Sequence, residues 1–267
     1  MTKFTIATVC YNAGHHLQRT IASVEEQDYT AIEHLIVDGN SQDETLAHIH
    51  HYQERNSRAA VQHDIVCRSE PDEGLYDAMN KAIGLATGDY ILFLNAGDAF
   101  HSPTLLSDIA RQLDTLIERE HLERHRRPAV LYGLTDLVDD EGRFLRHRRL
   151  APPERLSWRD FKHGMLVCHQ AFFARIDLAR KFLYDRETYR FSADYDWCIR
   201  IMKEADRLHL PLLNTHLTVA DYLSEGLTTK HHKASLLERY DIMAHHYGRL
   251  TATLQHAWFV VRAVLKK

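Results

Sequence analysis

The first 120 residues switch repeatedly between two hydrophobic periods, and few folds accommodate that. "FTIATV" (4–9) is a β-rich run ending at Cys10-Tyr11-Asn12, and "HHLQRTIASVEEQ" then sets Leu17, Ile21 and Val24 at helical spacing. "HLIVDGN" supplies a buried-type strand over 34–37 that ends on Asp38. Ser41-Gln42-Asp43-Glu44 fits a capping box for a helix carrying Leu46 and Ile49. "DIVCRSE" reads as a third strand. "YDAMNKAIGLA" reads as a helix with Tyr76, Met79 and Ile83 on one face, ended by Gly88. "YILFL" (90–94) is apolar on both faces, as a central strand of a parallel sheet must be, and "PTLLSDIARQLDTLIERE" is a long amphipathic helix. This alternation predicts an α/β chain with a doubly wound parallel sheet. Such sheets bind ligands outside the carboxyl ends of their strands, where Asp38 and Asp98 both stand.

From about residue 121 the rhythm changes. "AVLYG" predicts a strand, "DLVDDEGRFLRHRRL" a hairpin turning at Asp140-Glu141-Gly142, and "MLVCHQAFFAR" one or two short strands. "SADYDWCIRIMKEA" predicts a helix opening with acids, "LPLLNTHLTVADYL" more strand, and 231–266 a helical end. No linker rich in Pro, Gly or Ser interrupts the chain. The expected organisation is one domain over 1–230, with halves at 1–120 and 121–230, and a C-terminal helical extension over 231–267.

Composition narrows the partners. A net charge of −4 gives no global bias toward nucleic acid. Cys10, Cys67, Cys168 and Cys198 are widely spaced with no C-x-x-C, which argues against a disulfide framework and fits a reducing compartment. "MTKFTIATVCYNAGHH" holds too short an apolar run for a signal peptide, and no run reaches the length of a spanning helix, so a cytoplasmic location is expected. The 20 histidines include four adjacent pairs, none in a zinc-protease frame or with cysteines at zinc spacing, and read as a polar surface.

The first strand is followed by "YNAGHH" rather than G-x-G-x-x-G, and G-K-[ST] is absent, so neither a dinucleotide fingerprint nor a P-loop holds the ligand. Carboxylates at strand ends suit a hard cation, Mg²⁺ or Mn²⁺, shared with the phosphates of a substrate. Such a cation makes a nucleoside diphosphate a good leaving group, and a third carboxylate can deprotonate an acceptor hydroxyl; Asp194 in "SADYDW" is the candidate. A sugar-nucleotide-binding module without turnover and a nucleotidyltransferase share this kind of sheet. The second would normally carry a glycine- and basic-rich loop where "YNAGHH" stands.

"TVCYN", "IVDGNSQDET" and "SEPDEGLYDAMNKAIGLATGDYILFLNAGD" follow one another in the order and spacing of glycosyltransferase family 2, the inverting enzymes of the GT-A (nucleotide-diphospho-sugar transferase) fold. The chain resembles that family closely over about 3–100 and loosely over 160–230, and is most similar to bacterial members that build surface polysaccharides. The resemblance implies a nucleotide-sugar donor, UDP-linked first, a sugar or lipid-linked acceptor, and transfer of a single sugar, since Q-x-x-R-W is absent. It implies that Thr8, Tyr11 and Asp38 surround the base, with Asp38 meeting a uracil N–H. Glu70 and Asp72 then lie near base and ribose, Lys81 reaches phosphate, and Asp77 and Asn80 support the site.

The family's metal motif, Asp-x-Asp or Asp-Asp, reads Asn95-Ala96-Gly97-Asp98 here, which leaves Asp98 as the carboxylate ligand. Its catalytic Asp matches Asp194, with Asp196 as the alternative. Cys168-His169-Gln170 resembles a segment lining the acceptor side, and Glu225-Gly226-Leu227-Thr228 a late loop near the diphosphate. Finally, "LQHAWFVVRAVLKK" (254–267) sets Trp258, Phe259, Val261, Val264 and Leu265 beside Arg262, Lys266 and Lys267. At this length the helix can lie in a membrane interface, at the inner face of the cytoplasmic membrane, or pack on the domain or on a second copy in a homodimer.

Overall fold

The computed structural model describes residues 1–224 and 232–264. Strands β1 (Phe4–Cys10), β2 (Ile32–Asp38), β3 (Asp64–Ser69) and β4 (Tyr90–Phe93) alternate with helices α1 (Gly14–Glu25), α2 (Thr45–Asn56) and α3 (Leu75–Leu85). There follow β5 (Ala99–Phe100), α4 (Leu105–Arg119), β6 (Val130–Val138), β7 (Phe144–His147), β8 (Phe172–Arg175), α5 (Ile176–Lys181), α6 (Ala193–Arg207) and β9 (Leu212–Leu223). Two helices, α7 (His232–Tyr247) and α8 (Arg249–Val264), end the described chain.

One sheet runs β3-β2-β1-β4-β8-β6-β9-β5, with β7 beside β6. Its first four strands are parallel, Phe4–Ala7 facing Tyr90–Phe93 and Phe4–Cys10 facing Ile32–Asp38. β8 then enters antiparallel to β4 and β6, and β9 lies parallel to β6. Every residue of β1, β2 and β4 is buried, so this half carries helices on both faces. α1 buries Leu17, Ile21 and Val24 against it, and α3 buries Tyr76, Met79 and Ile83. All the parallel strands therefore deliver their carboxyl ends to one edge.

Two local expectations fail for physical reasons. The capping box does not form. Ser41 turns back to Asp38, while Asp43 accepts from Thr45 N at 3.0 Å and from Gly14 N at 3.0 Å, so one side chain serves the starts of both α2 and α1. Gly88 does not end α3, which stops at Leu85 with Ala86 extended. A Cβ on Gly88 would come within 2.7 Å of Thr5 N, so its role is close approach of the incoming β4 strand to β1.

The C-terminal segment is a helical pair broken at Gly248, whose φ is +86°. Ile242 and Met243 of α7 and Ala252 of α8 are buried in the same core as the sheet, and Phe259 packs against it. Leu250, Leu254, Trp258 and Val261 instead form an exposed stripe on α8. Phe259 thus leaves the apolar face expected from the sequence, and Leu250 joins it. Leu265, Lys266 and Lys267 lie outside the described residues.

Candidate active site

The ends of β1, β2 and β3 are knitted by side-chain hydrogen bonds. Asp38 is fully buried and accepts from Ser41 N at 3.0 Å, Ser41 Oγ at 2.5 Å, Ser69 Oγ at 2.7 Å and Cys10 Sγ at 3.7 Å. Two oxygens with four protein donors leave no direction for a base, so Asp38 shapes the turn instead of meeting a uracil. Asn12 and Asn40, with φ of +48° and +65°, reverse the chain on either side. Asn12 N donates to Ser41 Oγ and Gln42 N to Asn12 Oδ1. What faces outward is an open cleft of about 480 Å³ lined by Tyr11, Gly39, Asn40, Gln42, Pro71, Asp72 and Gly74. Tyr11 is 63% exposed, so its ring face is free to stack. Asp72 Oδ2 lies where a Cβ on Gly39 would approach to 2.5 Å, so a larger residue there would push the Asp72 side chain aside.

Three further expected contacts are internal. Thr8 is buried and donates to Leu94 O at 2.8 Å; its oxygen also takes the Nε2–H of buried His34 at 3.0 Å. It belongs to the floor of the site. Lys81 donates to Pro71 O at 2.7 Å and pairs with Asp77 at 3.2 Å and Glu70 at 3.5 Å. It braces the acidic turn rather than reaching phosphate. The hydrogen bond from Arg68 holds the Glu70 carboxyl below its usual range. Asp77 also pairs with Arg186, and Asn80 clamps both Tyr184 N and Tyr184 O, so these two residues tie α3 to the segment before α6.

The β4 end turn is held by α1. Thr20 Oγ1 donates to Asp98 O at 2.7 Å and accepts from Gly97 N at 2.9 Å. Asp98 is buried, and its oxygens accept from Gln170 Nε2 at 3.0 Å and Leu223 N at 2.9 Å. Burial pushes its carboxyl up to about 7 against those two bonds and the charge of Arg19. Gly97 lies beside His16 and Leu223. Asn95 Oδ1 is buried without a donor, an oxygen two residues before Asp98's neighbour in the same turn. One carboxylate and one orphaned amide oxygen fit a hard divalent cation whose other ligands come from phosphate.

Asp194 stands in the first turn of α6, half-buried, with Tyr76 Oη donating to its Oδ1 at 3.2 Å. Asp196 points elsewhere. It is buried on Arg200 Nε at 2.6 Å and His246 Nε2 at 2.7 Å, and so anchors α7 to α6. That removes Asp196 as the alternative base. His169 does not line an open acceptor surface. It is buried, stacked on Phe93, and 2.5 Å from Tyr184 Oη, and burial lowers it to about 4. Glu225, Gly226, Leu227 and Thr228 lie outside the described residues.

The structure therefore brings Tyr11 and Asp72 to one cleft, with Glu70 on the adjacent turn. α3 connects that cleft to Asp194: Gly74 lines the cleft and Tyr76, two residues on, touches the Asp194 carboxylate. Sequence reading missed Tyr76, Gln42 and Thr20, and placed Gln170 on the acceptor side without its contact to Asp98. Tyr76 was legible only as an apolar residue at helical spacing, and nothing local signals that its hydroxyl meets a residue 118 positions away.

The family model described as Glycosyl transferase family 2 matches residues 5–181. The amylovoran biosynthesis glycosyltransferase AmsB of Erwinia amylovora is 31% identical over 222 residues, 80% of this chain and 69% of that protein. A PGL/p-HBAD biosynthesis glycosyltransferase of Mycobacterium bovis (strain BCG / Pasteur 1173P2) is 29% identical over 226 residues, 84% of this chain and 77% of that protein. Among solved structures, S. aureus TarS 1–349 in complex with UDP-GlcNAc is similar with a TM-score of 0.62 at 17% identity, covering 90% of this chain and 64% of that one. The mannosyltransferase PcManGT from Pyrobaculum calidifontis, in complex with GDP-Man and Mn²⁺, gives 0.61 at 13% identity, covering 97% and 75%. The chain spans 43% of a longer TarS chain. The fold is that of the GT-A glycosyltransferases, and the chain is a glycosyltransferase. It belongs to glycosyl transferase family 2.

Proposed function

We infer that the chain transfers a single sugar from a nucleoside-diphosphate sugar, UDP-linked first, to an acceptor hydroxyl with inversion. The observation that carries this reading is the α3 connection, which links a half-buried carboxylate, Asp194, through Tyr76 to a cleft with one exposed aromatic ring and one acid, Asp72. Tyr11 stacks on the base and Asp72 accepts from the ribose or base edge. Asp194 takes the proton of the acceptor hydroxyl as its oxygen bonds to the anomeric carbon. The bond from that carbon to the diphosphate oxygen breaks on the opposite face, through an oxocarbenium-like transition state. Asp98 and Asn95 are the residues that would hold Mg²⁺ or Mn²⁺, whose charge neutralises the diphosphate when bound. Relatives named as amylovoran and PGL/p-HBAD biosynthesis glycosyltransferases support a role in the biosynthesis of a glycan or glycoconjugate.

A thermal-shift panel of UDP, dTDP, GDP and their sugars tests the donor. UDP ligands are expected to raise the melting temperature most, and Tyr11→Ala to abolish that rise. A larger rise with GDP ligands overturns the UDP assignment. Incubation with the preferred sugar nucleotide and release of nucleoside diphosphate separates transfer from binding alone.

No described helix is long and apolar enough to cross a membrane. The exposed Leu250, Leu254, Trp258 and Val261 stripe supports peripheral contact with lipid. Leu254→Ser with Trp258→Ser is expected to reduce sedimentation with anionic liposomes while UDP binding persists. Unchanged sedimentation, or conversion of a dimer to monomer, refutes the lipid assignment.

A further inference from the structure

Away from Asp194, four strands bring imidazoles and carboxylates together. His101 follows β5, Asp136 lies on β6, His147 ends β7 and Asp221 lies on β9. Strand register imposes this. Asp136 is paired with His147 on one side and Asp221 on the other, and Asp221 is paired with Ala99. His101 Nδ1 is 2.8 Å from Asp221 Oδ1, and His147 Nδ1 is 2.7 Å from Asp136 Oδ1. One ligand atom from each of His101, Asp136 and Asp221 lies within 4.8 Å of the other two. Asp136 is 5% exposed, yet its ionic partner is the exposed His147 ring, with no Lys or Arg beside it among the described residues. The second oxygens of Asp136 and Asp221 accept no hydrogen bond from any described residue. Those two oxygens are not among the buried orphaned atoms, so they stay open to solvent and can accept a cation without breaking an existing hydrogen bond.

We propose that His101, Asp136 and Asp221, with His147 as a fourth donor, bind a divalent transition-metal ion at a site separate from the Asn95–Asp98 turn. Mixed imidazole and carboxylate ligands are the donor set for Zn²⁺ and its neighbours, more than for the all-oxygen shells of Mg²⁺ or Ca²⁺. Tetrahedral ligand bonds of about 2.1 Å put donor atoms about 3.4 Å apart, so donor atoms that now lie within 4.8 Å of one another must close by up to about 1.4 Å through side-chain rotation on fixed strands. The half-exposed His101 and Asp221 leave an entry path to the buried Asp136. The ion would also steady the turn that holds Asp98. β5 begins one residue after Asp98, and Leu223, two residues after Asp221, donates its N–H to Asp98 Oδ1.

The test is Co²⁺ titration of the chelator-treated full chain without nucleotide, read by visible absorption and by melting temperature. The wild-type chain is expected to take up one ion per chain with a tetrahedral d–d spectrum and a raised melting temperature. His101→Ala and Asp221→Asn, at accessible positions, are expected to weaken binding at least about 10-fold, while His245→Ala, at an exposed histidine of α7, leaves it unchanged. The variants thereby discriminate against adventitious binding by the other histidines. Equal Co²⁺ binding in His101→Ala and Asp221→Asn overturns the proposal, as does an equal loss in His245→Ala or no binding in the wild type. Because no nucleotide is present, these outcomes are independent of whether the sugar-transfer reading holds.

Discussion

Asp194→Asn is expected to lower turnover at least about 100-fold while leaving UDP affinity within about twofold. The amide keeps the shape of the side chain and an acceptor oxygen for Tyr76, so the first turn of α6 and the stacked Tyr76–Tyr184 pair stay in place. Only the ability to take a proton is lost. Asp196→Asn supplies the contrast. Its carboxylate is buried between Arg200 and His246, so its replacement should destabilise the α6–α7 contact and leave the kcat of the folded fraction near normal. Tyr76→Phe separates positioning from chemistry. Removing the hydroxyl that holds the Asp194 carboxylate should lower kcat about 10-fold with KM for the donor little changed. Near-normal turnover in Asp194→Asn would remove the general-base assignment, and an unchanged kcat in Tyr76→Phe would remove the positioning role.

What the sequence made legible was whatever depends on hydrophobic period and chain order. The β1–β4 alternation, the central apolar β4 and the Asp140–Gly142 hairpin are all present, because each rests on interactions within one element or between neighbours. β5 was invisible, being two residues that become a strand only by pairing with β9 more than 100 positions on. At the site, the positions of acids at strand ends were correct, but their orientation was not readable. Asp38 and Asp98 look alike as terminal aspartates. One is saturated by Ser41, Ser69 and Cys10, and the other is held by Gln170 and Leu223 beside an orphaned Asn95 oxygen. Lys81 shows the same limit. A lysine on a helix near an acidic turn suggests phosphate, but Glu70 and Asp77 already hold its charge. Which partner a charge finds is a tertiary fact, and sequence spacing alone supplies only the candidates.

Acidification should destabilise this protein well before its surface carboxylates protonate, because His34, His63 and His169 are buried and burial lowers all three. Burial lowers His34 from an ordinary value of 6.5 to about 3 and His169 to about 4. His34 is locked in that state by donating Nε2–H to Thr8 and accepting from Tyr52 Oη at Nδ1. The unfolded chain binds protons at both residues from about pH 6.5 downward, and the folded chain does not. Their stabilisation is therefore complete above that pH and is lost as pH falls toward 4 and 3. Asp98 works in the opposite direction. Its carboxyl is raised from 3.8 to about 7, so it favours the folded state increasingly as pH drops through that range. His34 and His169 outweigh Asp98 and His63 adds to the loss, so the net loss between pH 7.5 and pH 4 should be at least about 3 kcal/mol, read from urea melts. His34→Gln retains a donor and an acceptor but cannot titrate. It should recover about 3 kcal/mol of the acid-dependent loss, and Asp98→Asn should steepen it. Parallel pH dependence in wild type and His34→Gln would mean that His34 is not the acid-labile group.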